Sequence, residues 1–401
     1  MSYHFLIAPN AFKHGLSAEA AAEAICQGLA ASGLPFTSET LPIGDGGDGT
    51  IALLADRLGA ARFTAMVRDP LHRNIDTWFG LTEEKPGGGA AAKGTTALIE
   101  MANASGLRLL DRTELDPLIA LSTGTGDLIR AALDHDARRI VVGMGGSATV
   151  DGGVGILQSL GARFLDRHGD PLTGLPAALT ALDSIDISQL DPRLANCEIV
   201  VLCDVDNPLL GPSGAAAVYG PQKGATPGAV QQLDVCLEHL ANVIIRTTGR
   251  DMKTVKYGGT AGGAAAGLYG LLDATLAGGI DYFLAVTGFD RSLEKADFVI
   301  TGEGSIDDQT LQGKGPMGVA VQAKKRGIPV IGLAGKIPLT PSAELRKYFD
   351  VLLAIGNEPS DLKTALENTA ANLSRTAESI GRLLDSGPNA APRHFGSPAT
   401  Q

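Results

Sequence analysis

Ala296-Asp-Phe-Val-Ile-Thr-Gly-Glu-Gly-Ser-Ile-Asp-Asp-Gln-Thr-Leu-Gln-Gly-Lys-Gly-Pro316 is the stretch whose reading decides the fold. Residues 298–300 form a short apolar, β-branched run, as expected of a strand buried on both faces of a parallel sheet. The run then breaks into a glycine-punctuated loop bearing Glu303, Asp307, Asp308 and Lys314, and a helical segment is expected over 319–325. Strand, polar glycine loop, helix is the unit in which α/β proteins place ligands, outside the carboxyl end of the strand. Three carboxylates and a lysine in so short a loop repel or desolvate one another unless a metal ion and phosphates bind there.

The same unit opens the chain. A strand is predicted over 4–8, ending at Pro9-Asn10; a turn with Lys13 follows, and Ser17 caps an alanine-rich helix over 18–31. Ala20 stands where a capping box would place Glu. Asp45-Gly-Gly-Asp48 then forms a tight loop before a helix over 50–58, its two aspartates aimed at a metal or a hydroxyl. It is no EF-hand, since the third acidic position and the terminal Glu are missing.

The texture changes after Arg62. Residues 63–67, 74–81 and 90–100 read as β-rich, with turn signals at 69–70 and 86–89, and mark the start of a second, mixed domain. Arg68 and Arg73 flank the first turn, either as surface charges or as a basic pair that meets a carboxylate substrate. Ser122-Thr-Gly-Thr-Gly126 opens a helix over 127–133 whose N-terminus offers an anion site. A strand over 139–142 runs into the glycine loop 143–155, where the Gly143, Gly145, Ala148 spacing fits a relaxed dinucleotide fingerprint and equally a phosphate-cradling loop. A strand over 199–203 leads to Asp204 and Asp206, and a polar turn over 219–224 carries Lys223. The loop 258–263, before a helix over 264–276, brings backbone amides of small residues close to a phosphate. Strand-like runs at 297–302, 330–335 and 351–356 restore the α/β rhythm, and a closing helix is expected over 362–384.

Composition narrows the field. A chain of 401 residues exceeds one ordinary core, so two domains are expected. Hydrophobic residues make up 44% but aromatics only 4%, so the core is built from Ala, Leu, Val and Ile. A net charge of -11 with no basic runs argues against a nucleic-acid surface. The small-residue tract 258–286 is interrupted by Asp273 and Asp281, which argues against a membrane span. The four cysteines form no CxxC pair and read as reduced, buried thiols. No basic residue precedes Lys13, so no signal peptide is read and a cytoplasmic protein is expected. The predicted architecture is α/β. A parallel, Rossmann-like three-layer domain is formed by 1–62 and 288–385, a mixed α/β domain is inserted over 63–287, and 386–401 is a disordered tail.

Several chemistries are excluded. Gly313-Lys314 is followed by Gly315, and position 308 is Asp, so no Walker A loop exists. The protein-kinase signatures, an H-E-x-x-H zinc helix and a G-x-S-x-G elbow are all absent. Strand-end loops rich in Lys, Asp, Glu and glycine amides remain. They suit phosphoryl transfer, where positioning and charge neutralisation do most of the catalysis.

Six ordered motifs carry a resemblance. They are Ala8-Pro-Asn-Ala-Phe-Lys13, Asp45-Gly-Gly-Asp-Gly-Thr50, Gly145-Gly-Ser-Ala-Thr149 with Asp151-Gly-Gly153, Asp204-Val-Asp-Asn-Pro-Leu209, Gly220-Pro-Gln-Lys-Gly224, and Gly302-Glu-Gly-Ser-Ile-Asp307 with Gln309-Thr310 and Gly313-Lys314. From residue 6 to about residue 356 the chain resembles the bacterial glycerate kinase type-1 family. The resemblance implies ATP-dependent phosphorylation of D-glycerate with Mg²⁺, at the 2-hydroxyl, giving 2-phosphoglycerate and ADP. It also implies two α/β domains with the active site in the cleft between them, and a monomer or homodimer is expected.

The resemblance distributes roles. Asp45, Lys13 and Asp204 are the expected catalytic residues, Asp45 accepting the hydroxyl proton. Asp204, Glu303 and Asp307 are expected to hold Mg²⁺. Gly145, Gly146, Ser147, Lys223, Gly259, Gly262, Glu303 and Lys314 are expected to contact ATP, and Asn10, Asp48, Arg68 and Arg73 the substrate. The chain departs from the family where Asn10-Ala11 replaces Asp-Ser, where Gly44 and Asp48 replace Ala and Glu, and where Val150 and Ser305 replace Asn and Arg. Rival readings are a kinase for another small hydroxy acid, a nicotinamide-dependent oxidoreductase resting on 143–148, and a non-catalytic nucleotide-binding regulator.

Overall fold

A computed structural model describes residues 2–83, 94–308 and 310–386. The turn expected at 86–89, and residues 387–401 of the expected disordered tail, lie outside the described residues. The strands are β1 (Tyr3–Ile7), β2 (Phe36–Thr40), β3 (Ala61–Arg68), β4 (Asn74–Thr82), β5 (Thr95–Glu100), β6 (Ala137–Gly143), β7 (Arg163–Leu165), β8 (Ser184–Asp186), β9 (Glu198–Cys203), β10 (Thr275–Gly278), β11 (Phe298–Ser305), β12 (Val330–Lys336) and β13 (Val351–Ala354).

Two compact units divide the chain. The first comprises Met1–Ile43, Phe289–Leu311 and Gly315–Gln401, the second Gly44–Gly288 with Gln312–Lys314. The first division falls before the Asp45 loop, ahead of the boundary read at residue 62. The reason is packing: the helix Thr50–Arg57 lies against β4, β5 and β6, and its Ile51 amide donates to Glu100 Oε2 at 2.9 Å.

The first unit holds a five-stranded sheet in the order β13-β12-β11-β1-β2, parallel throughout. Its centre is made by the apolar runs legible in the sequence. Phe5, Leu6, Ile7, Val299 and Ile300 are fully buried, and Phe5 stacks on Phe298 with ring centroids 5.5 Å apart. The chain leaves β1 toward β2 on one side and returns to β11 on the other, so a topological switch point lies between β1 and β11. Right-handed crossovers in opposite directions place their helices on opposite faces, which gives three layers. Ser17 caps the helix Ala18–Ala31 by accepting from the Ala20 amide at 3.3 Å. That helix packs on Thr369–Asp385, and a Cβ at Gly28 would stand 2.0 Å from the Ser374 carbonyl oxygen, a contact only glycine allows. The closing helix is two helices, Leu362–Glu367 and Thr369–Asp385. β11 also runs on through its glycines to pair Ser305 with Lys336, so Glu303 sits in a strand where a loop was expected.

The second unit is mixed. Its six-stranded sheet has the order β10-β9-β6-β5-β4-β3, with β5, β6, β9 and β10 parallel and β3 and β4 antiparallel. Four strands escaped the sequence reading: β2, the small β7–β8 hairpin, and β10. β10 is Thr-Leu-Ala-Gly, without the β-branched run that marks a buried strand, inside a tract read as loop and helix. β6 ends at Gly143 and the next helix, Val154–Ser159, begins ten residues after Met144. A dinucleotide turn must pass directly into a helix N-terminus, and this loop does not. Of the cysteines, Cys203 and Cys236 are buried, whereas Cys26 and Cys197 are only half-buried; all are free. Among the described residues no helix is long and apolar enough to cross a membrane.

Candidate active site

The carboxyl ends of β6 and β9 in the second unit are covered by the loop that follows Ile43. Gly145 donates its amide to the Gly46 carbonyl at 3.0 Å. A Cβ on Gly145 would stand 2.3 Å from Gly47 Cα, so the two glycine loops touch backbone to backbone and no side chain fits. Asp45 is half-buried, and its Oδ1 accepts from the Gly47 amide at 3.1 Å; Thr50 Oγ1 accepts from the Gly46 amide at 3.0 Å. The position a Cβ on Gly47 would take lies 2.9 Å from Asp45 Oδ1 and 3.8 Å from Asp204 Oδ2. Two carboxylates far apart in sequence thus converge on one backbone point.

A lysine stands behind them. Lys223 is 2% exposed; its Nζ donates to Ser147 Oγ at 2.8 Å and to the Thr149 carbonyl at 2.6 Å. Burial pulls its pKa down to about 7, against the opposing pull of Asp151 and Asp204. Beside it, burial together with Asp204 and Asp206 pushes the Tyr219 phenol up to about 12, and its hydroxyl donates to Asn207 Oδ1 at 2.7 Å.

Two buried carboxyl groups to which the sequence assigned no role brace the neighbouring loops. Asp151 accepts from the Ser122 amide and hydroxyl at 2.9 and 2.7 Å and from the amides of Gly153 and Gly155, both at 3.0 Å. The anion site expected at 122–126 is therefore filled by the protein's own carboxylate. Glu100, 2% exposed at the end of β5, is pushed well above the usual carboxyl range by burial, against the lowering effect of the Ile51 amide.

Other expected ligands have partners within the fold. Gly259 donates its amide to the Asn207 carbonyl at 2.9 Å, and the Gly262 carbonyl accepts from the Gly152 amide at 3.0 Å. The loop 258–263 thus ties the Asp204 loop to the Asp151 loop, and the amides of Gly145 and Gly259 are donors inside the unit rather than to phosphate. Arg68 makes a forked pair with Asp127, Nε to Oδ2 at 2.9 Å and Nη2 to Oδ1 at 2.6 Å. Arg73 bonds Asp69 at 2.5 Å and Glu114 at 2.6 Å. Both arginines hold β3 and its turn to neighbouring segments, so the basic pair read from the sequence is engaged in ion pairs within the fold. Asp48 is exposed and faces Arg108, 3.7 Å away, an arginine the sequence reading passed over.

In the first unit the expected residues flank the switch point. Asn10, at the end of β1, donates its amide to the Gly302 carbonyl at 2.8 Å and turns Oδ1 to the Ala11 amide at 2.8 Å. Lys13 is exposed, its backbone nitrogen 3.8 Å from the Cβ position of Gly304. Glu303 is 7% exposed and accepts from Thr310 Oγ1 at 2.9 Å; Asp307 accepts from Ser305 Oγ at 3.2 Å. Lys314, which groups with the second unit, is half-buried just before the helix Gly315–Lys325.

The donor chemistry suits Mg²⁺ better than a fully enclosed metal. Among the described residues no three His, Cys, Asp or Glu side chains gather tightly enough to hold an ion alone. Mg²⁺ needs one or two carboxylates, with water and phosphates completing its shell, a requirement that Asp204 fits without an enclosing cage.

Residues 5–385 match the family model described as the glycerate kinase family. The chain is 43% identical over 379 residues to "Glycerate kinase" of Bacillus subtilis (strain 168), covering 94% of this chain and 97% of that one. It is 39% identical over 380 residues to "Glycerate 2-kinase" of Escherichia coli (strain K12), covering 94% and 97%. A crystal structure assigned to glycerate kinase 2 of Salmonella typhimurium LT2 superposes with a TM-score of 0.79 at 40% identity, covering 96% of this chain and 99% of that one.

Proposed function

The chain belongs to the glycerate kinase family, and from that premise we propose that it transfers the γ-phosphoryl group of ATP to the 2-hydroxyl of D-glycerate, giving 2-phosphoglycerate and ADP. The observation that carries this reading is the convergence of Asp45 and Asp204 at Gly47, with Lys223 bonded to the adjoining Ser147 loop. Phosphoryl transfer asks little covalent chemistry of a protein; it asks for aligned oxygens and a neutralised phosphate.

The division of labour follows from the surroundings of each group. Asp45, half-buried and oriented by the Gly47 amide, accepts the proton of the attacking hydroxyl. Asp204 would hold Mg²⁺ together with phosphate oxygens; the ion supplies charge neutralisation on the transferred group. Lys223 meets a phosphate oxygen as a point charge, and an arriving anion favours its protonated form. Lys13, Lys314, Glu303 and Asp307 are assigned to the nucleotide, and the Gly146–Ser147 segment to its phosphates.

The test presents ATP, Mg²⁺ and D-glycerate with product read through enolase. A signal with enolase alone supports the 2-hydroxyl as acceptor. A signal that needs an added phosphoglycerate mutase overturns that regiochemistry, and no signal in either arm overturns D-glycerate itself.

A further inference from the structure

The basic residues expected to meet the substrate carboxylate, Arg68 and Arg73, are held by Asp127, Asp69 and Glu114. A different arginine is built for that task. Arg108 is 52% exposed; one of its Nη2 protons goes to Asn103 Oδ1, and its Nε stands 3.7 Å from Asp48, beyond hydrogen-bond reach. Four of the five guanidinium N–H groups thus have no hydrogen-bond partner among the described residues. Asn103 itself is 9% exposed, yet its Nδ2 has no hydrogen-bond partner among the described residues. A buried amide left without an acceptor is costly, and a bound oxygen ligand is one of the few explanations for it.

The pair is fixed against the loop already described. The Leu107 amide donates to the Gly146 carbonyl at 2.9 Å and the Ala148 amide to the Ser105 carbonyl at 2.9 Å, so 105–107 is clamped to 146–148. The Cβ position of Gly146 lies 3.2 Å from the Cβ atoms of both Ala102 and Asp48. Asn103 and Arg108 therefore border the same loop whose Ser147 bonds Lys223.

We infer that Arg108 and Asn103 form the subsite that takes the carboxylate of the hydroxy-acid acceptor, an assignment that rests on the kinase reading above. A planar guanidinium fork beside a free carboxamide N–H₂ matches a planar carboxylate. Asp48 stands close enough to disfavour the multiple charges of a triphosphate while leaving a single carboxylate bound.

Steady-state kinetics on Arg108→Met, Arg108→Lys and Asn103→Asp decides it, with melting temperatures confirming that each variant folds. Asn103→Asp keeps the acceptor for Arg108 and removes the two N–H donors. The KM for D-glycerate should rise by about thirtyfold in Arg108→Met and about tenfold in Asn103→Asp, with the KM for ATP within about twofold of wild type. Arg108→Lys should recover part of the loss. The preference for D-glycerate over D-glyceramide, which lacks the carboxylate charge, should collapse in Arg108→Met. A rise in the KM for ATP alone, or a fall in kcat with both KM values unchanged, overturns the subsite while leaving the kinase reading standing. If the wild type binds D-glycerate in a calorimeter without phosphorylating it, the kinase reading falls, and loss or retention of that binding in Arg108→Met still decides the subsite. Failure of the wild type to bind or phosphorylate D-glycerate removes both.

Discussion

Lys223 Nζ donates to Ser147 Oγ at 2.8 Å from a position that is almost sealed from solvent. An ammonium group in that setting is held by one hydroxyl and one carbonyl, with Asp151 and Asp204 the charges that favour it. Burial outweighs them, and the pKa falls from 10.5 to about 7. On the proposed kinase reading, an anion bound beside Lys223 would favour its charged form.

That poise predicts two pH dependences for Lys223. Because kcat/KM reports the free enzyme, it should fall as pH rises above about 7, and the limb should disappear in Lys223→Met, whose activity is lower throughout. For stability, the folded pKa is depressed, so the unfolded chain binds the extra proton between about 7 and 10.5. Wild-type unfolding free energy should therefore rise with pH across that window relative to Lys223→Met, as urea titrations at several pH values would register.

Asp45→Asn should lower kcat by roughly 10²- to 10⁴-fold with the fold intact, the range expected for loss of a general base. Asp204→Asn should instead raise the Mg²⁺ concentration needed for half-maximal rate. Turnover within a few-fold of wild type in Asp45→Asn would remove it as proton acceptor.

Arg68→Ala should destabilise the protein without touching substrate affinity. Burial works to raise the Asp127 carboxyl, but hydrogen bonds from Arg68 and Ser159 outweigh it and hold the carboxyl below its ordinary range. Removing Arg68 strips the main partner from a carboxylate only 7% exposed, at a cost of about 2 kcal/mol in urea unfolding. The KM for D-glycerate should stay within about twofold, as expected of a pair that orders structure rather than substrate.

Glu100→Gln should be tolerated and Glu100→Ala should not. The glutamine carboxamide keeps an acceptor for the Ile51 amide, whereas alanine leaves that amide buried and unpaired, costing about 1–3 kcal/mol. The folded pKa of Glu100 is raised, so its contribution is fully present below 4.5 and is lost as pH rises through the folded value. Wild type should lose stability relative to Glu100→Gln as pH climbs above about 4.5.

Strands built from continuous apolar runs were readable locally, as in β1, β6, β9 and β11, because a strand buried on both faces needs Val, Ile and Leu in sequence. β10 was not readable. Its four residues, Thr-Leu-Ala-Gly, pair with Val200 through Cys203 because the neighbouring strand offers an edge, a condition no local window contains. The anion site at 122–126 misled for a similar reason: the helix N-terminus is real, but Asp151, distant in sequence, already satisfies it.

The sequence by itself determined where the chemistry-bearing side chains lie, since Asp45, Asp204 and Lys223 stand in turn-forming segments rich in Gly, Pro, Asp or Asn, whereas Glu303 proved to lie inside β11. It also determined the parallel core, through residue type and run length. Only the tertiary structure decided which of these charges meet. It brought Asp45 to Asp204, sealed Lys223 beneath Ser147, tied Arg68 and Arg73 to structural carboxylates and left Arg108 beside an unpaired Asn103 amide. Burial and partnership are set by chain segments remote in sequence, and the desolvation and pairing they impose fix what each charged group can do.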